Sequence, residues 1–346
     1  MAESQAKKQQ KIVRGNDFLS LPPIREQEEL ASSMSFYGAS HLMAQRSGFA
    51  SPLPFSGLRW QHGWCAREAQ SIDPILVVQE HSIERDNCYL VARDEQADYL
   101  KSMQIDARAV GLPFVYADTP ELPRIKNSLL IMPAHSLEYT THDWKFEEYA
   151  NSIAEVRRGF ETVVACIHPS CIENNYWVPQ FKKLGIPCVT GAGARDANGI
   201  LRIKMLLEQF DAMTTNALGS HVAYAAACGS RVSIFGEYTR FQVADYERAE
   251  FYQLHPHLLE PNIHLWSEEF AKENYPWLFC HPSEAIKQVN WGRQQIGWAN
   301  RLPPASIRKL LGWDRATRFR RNAKAVCRQV SRQPERWVKS IFRKAS

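Results

Sequence analysis

Between residues 127 and 237, short continuous apolar runs alternate with longer segments whose apolar residues recur three and four positions apart. A run that is apolar at every position needs cover on both faces, as a strand has in a parallel sheet flanked by helices. The runs predict strands at 127–133, 162–167, 187–190, 211–215 and 231–235. The segments between them predict helices near 144–160, 173–184, 198–210 and 219–228. In the first of these, Phe146, Tyr149, Ile153, Val156 and Phe160 fall on one side. The expected fold class is therefore α/β, a doubly wound Rossmann-like unit with a parallel sheet.

The preceding residues carry the same pattern more sparsely. Residues 74–79 and 88–92 read as strands, 94–103 as a helix capped by Asp94, and 107–111 as a further short strand. Residues 118–124 contain two prolines and read as a linker. After residue 237 the alternation fades into aromatic-rich sequence, and helix is expected again near 282–300. A chain of 346 residues suits two domains of roughly 150 residues each. The expected division is a polar leader at 1–34, a first Rossmann-like domain at 35–120, a second at 121–300, and a basic helical tail at 301–346. A ligand would then sit in the cleft between the domains, at the carboxyl ends of the strands.

Charge separates the tail from the rest. The chain has 42 Lys+Arg and 37 Asp+Glu, but residues 301–346 hold 14 of the bases and only Asp314 and Glu335 of the acids. The tail thus carries +12 and the remainder −7. No run of about 18 apolar residues exists, which excludes a spanning helix. The first residues lack the apolar core of a secretory signal. The eight cysteines form no C-x-x-C pair, so reduced thiols, no structural zinc and a cytoplasmic location are expected.

Four short motifs follow predicted strands. Thr214 and Thr215 end one strand, and Gly219-Ser220 open the next helix. The unpaired N–H groups and positive dipole end of such a helix suit a phosphate. A plain capped helix would carry the same pattern. His168-Pro169 follow the strand at 162–167, where an imidazole could donate to a phosphate or a sugar. Gly191 and Gly193, with Arg195 and Asp196, form a turn-rich loop whose glycines would let backbone approach a flat base. Its spacing is not G-x-G-x-x-G, so a dinucleotide site is poorly supported. In the first half, His62-Gly63 lie between Trp60 and Trp64, where a histidine could act as general base on an acceptor hydroxyl or serve as a structural residue between the tryptophans.

His168-Pro169, Thr214-Thr215 and Gly219-Ser220 resemble the nucleotide-binding motifs of bacterial GT-B glycosyltransferases of capsule and lipopolysaccharide synthesis. The polysialyltransferase and lipooligosaccharide sialyltransferase families are the most similar in pattern. Gln61-His62-Gly63 resembles the His-Gly loop of the teichoic-acid glycerophosphotransferases, whose histidine is a catalytic base. The resemblance spans about residues 55–240. It implies a GT-B-like fold of two Rossmann-like domains followed by C-terminal helices. It implies a metal-independent enzyme without a cofactor that moves a sugar from a CMP- or UDP-type donor to a surface-glycan or lipid-linked acceptor. His62 would be the base, and His168, Pro169, Gly191, Gly193, Arg195, Thr214, Thr215, Gly219 and Ser220 would bind the donor. The acidic triplet that supplies the base in those sialyltransferases has no counterpart here, so His62, or an isolated acid such as Asp73 or Glu80, would serve.

Two other readings fit the same motifs. A nucleotide-sugar epimerase of GT-B fold would need acids placed around the sugar, and a non-catalytic scaffold would bind nucleotide without turnover. The tail, with Leu311, Trp313, Phe319, Trp337 and Ile341 among its arginines, suits an anionic membrane surface. The second reading of this segment is a solvated tail with part packed back on the first domain. Nucleic acid is the weakest partner, because no RNA-reading motif accompanies the charge.

Overall fold

The computed structural model describes residues 36–50, 58–66, 88–135, 142–246, 249, 252–253, 256–314, 316 and 319. The expected leader, the strand at 74–79, Asp73, Glu80, and the tail beyond 319 lie outside these residues.

Two parallel sheets organise the chain. The first joins β1 (Leu58–Trp60), β2 (Cys88–Val91) and β3 (Ala107–Ala109) in the order β1-β2-β3. Helix α2 (Asp94–Ser102) connects the last two strands, and α1 (Ala39–Arg46) precedes the sheet. The second sheet contains β4 (Ile125–Ile131), β5 (Thr162–Ile167), β6 (Cys188–Thr190), β7 (Phe210–Thr215) and β8 (Arg231–Ile234), in the order β6-β5-β4-β7-β8. All its pairings are parallel. Numbered within this unit the order is 3-2-1-4-5, that of a Rossmann-type sheet, and it reverses direction between β4 and β7.

Both faces of the second sheet are covered, which explains the continuous apolar runs. Leu129, Ile131, Ala165, Ile167 and Ala212 pack towards α3 (Phe146–Val156) and α5 (Val178–Lys183). Their neighbours Leu130, Val164, Cys166, Met213 and Val232 pack on the opposite side. There they meet α6 (Gly199–Gln209) and α7 (Ser220–Ala227), in a core that also takes in Trp60, Leu90 and Tyr116 of the first half. Alternate residues therefore serve two cores.

The expected helix at 173–184 is two helices, α4 (Pro169–Glu173) and α5. Asn175 and Trp177 take left-handed φ values of 59° and 67° between them. The Trp177 indole N–H donates to the Ala134 carbonyl at 2.8 Å, and this buried tertiary bond holds the break. The cap expected at Asp94 is one residue early, at Arg93, whose N–H donates to the Gln96 side chain. Beyond β8 the helices are short: α8 (Val243–Tyr246), α9 (Leu259–Leu265), α10 (Glu268–Asn274), α11 (Val289–Gln295) and α12 (Pro304–Leu310).

The end of the described chain returns to the first sheet. The α11 side chain Gln295 accepts from the Trp64 indole at 2.9 Å and from Arg93 at 3.0 Å. Leu112 N–H donates to the Ile296 carbonyl, and the Asn300 amide donates to Ala92. Asp118, in the expected linker, ion-pairs with both Arg46 and Arg301. Ile307, Leu311 and Trp313 are buried in the shared core. Residues 301–313, counted with the tail by charge, are thus part of the packed body. Among the described residues no helix is long and apolar enough to cross a membrane.

Gly297 is the tightest point of this return. Its φ is +67°, and an added Cβ would collide with the Ala92 carbonyl, just past β2. Gly297→Ala should destabilise the protein by at least about 1–3 kcal/mol, the cost of a strained left-handed residue. Urea unfolding monitored by tryptophan fluorescence would register this as a lower midpoint.

Candidate functional site

Every strand of the second sheet ends at the same edge, so the segments that follow β4, β5, β6, β7 and β8 converge there. Three histidines belong to the central part of this edge. His135 lies shortly after β4, His168 directly after β5, and His221 in the first turn of α7 after β7. The His135 and His168 rings stack with centroids 4.6 Å apart and planes at 23°. His135 is also close enough to His221 to disfavour its protonation.

His168 caps α4 through its ring. The Ser170 N–H donates to Nδ1 at 3.2 Å, and Ser170 Oγ lies 2.7 Å from the same atom. A nitrogen that accepts from a backbone N–H carries no proton, so the neutral ring has its hydrogen on Nε2. That Nε2 is buried and has no hydrogen-bond partner among the described residues. Burial, and then the neighbouring His135, hold the His168 pKa well below the ordinary histidine value. The edge therefore offers a neutral N–H donor that needs an acceptor.

His221 is fixed differently. Its Nε2 lies 2.9 Å from Thr215 Oγ1, and that hydroxyl also accepts from the Ala217 N–H. Burial lowers the His221 pKa to about 3, with His135 adding to the effect. Thr215 thus shapes the turn into α7. Thr214 points into the sheet, where its hydroxyl accepts from Ser233 Oγ at 3.0 Å. Gly219 is the N-cap of α7, with extended backbone and no side-chain cap bond.

The first half reaches this helix start. Ser220 Oγ accepts from the Trp64 N–H at 2.9 Å, and the open side of Gly63 lies against the same oxygen. Tyr224, one turn further, donates its hydroxyl to the His62 carbonyl at 3.2 Å. The His62 ring lies 5.8 Å from that of Tyr37, whose backbone N–H donates to Ala194 in the loop after β6. The fold therefore joins the His-Gly loop, the α7 start and the β6 loop.

The β6 loop is itself tightly packed. Gly191 sits against Ile167 and Cys166, and Gly193 against Pro169, so these glycines admit neighbouring protein. Asp196 takes Nε and Nη2 of Arg202 on one oxygen, at 3.2 and 3.0 Å, in a buried pair that ties the loop to α6. Arg195 is exposed. His168, Pro169, Gly191 and Gly193 are thus brought together, while Thr214 stands inside the sheet.

A cavity of about 170 Å³ adjoins the same edge. Asn216 after β7, and Glu237, Thr239 and Arg240 after β8, form one side of it. Asp143, Trp144 and Lys145, ahead of α3, form another, with Trp177. Asn216 Oδ1 accepts from the Ala134 N–H at 2.9 Å, so the cavity wall holds the segment that carries His135. Behind it, the buried His142 ring stacks on Trp144 and bonds Asp245 at 2.9 Å. Burial lowers the His142 pKa, and Asp245 opposes the shift. The motif reading missed these cavity residues. Only Asn216 and the segment from Glu237 carried a visible signal, their position just after a predicted strand.

Among the described residues, no group of three His, Cys, Asp or Glu side chains is arranged to hold a metal ion. No protein-family model matches the chain, and no curated protein matches it with significance. Fold and site together define an α/β protein whose Rossmann-type sheet carries three histidines at its carboxyl edge, with His168 and His221 held neutral by burial.

The depressed histidine pKa values have a consequence for stability. The unfolded chain binds protons at the ordinary histidine value of about 6.5, and the folded chain does not until lower pH. Stability is then full above that value and is lost as pH falls, by up to about 1.4 kcal/mol per pH unit for each proton taken up on unfolding. Denaturation titrations between about pH 7 and 5 should show this slope, and His221→Asn should reduce it by its share.

Proposed function

We propose that this chain is a GT-B-type glycosyltransferase that binds a nucleotide-sugar donor at the carboxyl edge of the second sheet. The observation that carries the reading is the buried, unpartnered Nε2–H of His168, set beside the point where strand order reverses. Ligands of open parallel sheets collect at that point, and a donor without a partner suits a phosphate oxygen. The N-terminus of α7 lies at the exit of β7, on the other side of β4 from His168's strand, and has no side-chain cap. The return of the C-terminal segment to the first sheet supports a two-domain GT-B arrangement.

In the reaction, an acceptor hydroxyl attacks the anomeric carbon while the bond from that carbon to the donor phosphate breaks. The electron pair leaves with the phosphate oxygen. The His168 N–H and the α7 start would offset the charge that grows there. His62 would take the acceptor proton, since its loop is seated on the α7 start. Neither role requires a metal from this chain's residues. The acceptor is a surface glycan or a lipid-linked sugar.

A thermal-shift series with CMP, UDP, GDP and CDP tests the donor site. One nucleotide should stabilise the protein, by about 2.7 kcal/mol at a hundredfold excess over its Kd, and His168→Ala should weaken that shift. No shift with any nucleotide would remove the transferase reading. His62→Ala should keep the shift and lose transfer.

We assign the basic residues after Asp314 to an anionic membrane surface, since 11 bases face a single acid, Glu335, from residue 315 onward. Truncation after Asp314 should leave a folded protein that no longer sediments with phosphatidylglycerol vesicles. Truncation after Asn300 should fail to fold, because it removes Ile307, Leu311 and Trp313 from the core.

A further inference from the structure

The cavity beside the histidine cluster has a chemistry of its own. Its charged lining is balanced, with Asp143 and Glu237 against Lys145 and Arg240. Lys145 is also already engaged, by Glu148 at 3.0 Å and Glu237 at 3.3 Å. A phosphate or carboxylate ligand would want an excess of cations, which the lining lacks, and a wholly apolar ligand would leave its carboxylates, amides and hydroxyl unpaired. What the lining offers is a mixture of carboxylates, the amides of Asn216 and Gln242 and a hydroxyl, with the aromatic residues Trp144, Trp177 and Tyr238 beside them. That mixture suits vicinal hydroxyl groups on a ring with an apolar flank.

Two further observations point to a ligand. Thr239 is 4% exposed, and its hydroxyl has no hydrogen-bond partner among the described residues. A buried hydroxyl left unpaired is costly, and Thr239 belongs to the cavity wall. The volume, about 170 Å³, is room for about six waters at roughly 30 Å³ each. It falls below the roughly 300 Å³ at which pockets for larger ligands begin. One sugar ring fits that size, and a whole nucleotide sugar does not.

We infer that this cavity is a subsite for an uncharged hexose ring, the transferred sugar of the donor. Assigning the ring to the donor rests on the transferase reading, while the affinity for a hexose does not. The Ala134–His135 segment separates the two places, held by Asn216 and Trp177 on the cavity side and stacked on His168 through His135 on the other. A donor with its phosphates at His168 would then direct its sugar into the cavity. With its carboxylates already matched by Lys145 and Arg240, the lining holds no surplus cation for a sugar that carries its own carboxylate.

The test is intrinsic fluorescence, because Trp144 and Trp177 report on the cavity directly. The full chain is titrated with glucose, galactose and N-acetylglucosamine, with N-acetylneuraminic acid as the charged comparison. At least one neutral sugar should give a saturable change, and the acidic sugar should not. Thr239→Val and Glu237→Gln, each checked for an unchanged melting temperature, should weaken that binding about five-fold, as expected for one lost hydrogen bond. The inference is overturned if no neutral sugar binds, if the acidic sugar binds better, or if both variants bind as the parent does. The nucleotide thermal shift separates the two readings. Sugars failing while a nucleotide still stabilises would remove only the hexose subsite. Hexose binding without any nucleotide shift would remove the transferase and keep the subsite.

Discussion

A parallel sheet sends every strand out at the same edge, and this single constraint builds the site. His135, His168, Gly191, Asn216 and Glu237 are separated by up to about a hundred residues in sequence. Each lies at or just past a strand's carboxyl end, so hydrogen bonding between strands is enough to bring them together. The segments they belong to then pack on each other. Gly193 meets Pro169, Gly191 meets Ile167, and Asn216 bonds Ala134. The glycines of the β6 loop allow that contact, which is why the edge is a continuous surface rather than a set of independent loops.

The second constraint is how the halves are held. The three-stranded sheet shares one hydrophobic core with the α7 side of the five-stranded sheet. Part-buried polar contacts also join the halves. Trp64 donates to Ser220, Tyr224 to the His62 carbonyl, and Gln295 accepts from both Trp64 and Arg93. Asp118 pairs with arginines from α1 and from the returning C-terminal segment. These contacts place the His-Gly loop at the start of α7 without relying on the linker alone.

The strands of the second sheet were legible in the sequence because both faces of each are buried, and burial on both faces leaves an unbroken apolar run. β5 has the expected bounds, 162–167, and the others shift by one or two residues. The break between α4 and α5 was not legible, because it depends on a bond from Trp177 to a carbonyl more than forty positions away. The place of Thr214 was not legible either. A hydroxyl at a strand's end reads as a ligand donor until its cross-strand partner, Ser233, is known. Leu311 and Trp313 read as part of a basic surface because charge dominates their neighbourhood, yet packing on the first half buries them. The motif residues His168, Ser220 and His62 were visible singly; that the His62 loop docks on Ser220 follows only from the fold.

The histidine cluster also settles what kind of positive potential the edge can offer. His168 and His221 are held neutral by burial, and His135 reinforces this in both. An edge built from lysines would attract any anion at long range. Neutral N–H donors and an uncapped helix start act only at contact, and only on an acceptor placed in line with them. Such a site discriminates by geometry rather than by charge, which agrees with the net −7 carried by residues 1–300. The broad positive charge is confined to the C-terminal residues. In the proposed transferase, attraction to an anionic surface and recognition of the donor phosphate would then be separate functions of separate segments. The edge could be specific for its donor while the tail remains indifferent to it.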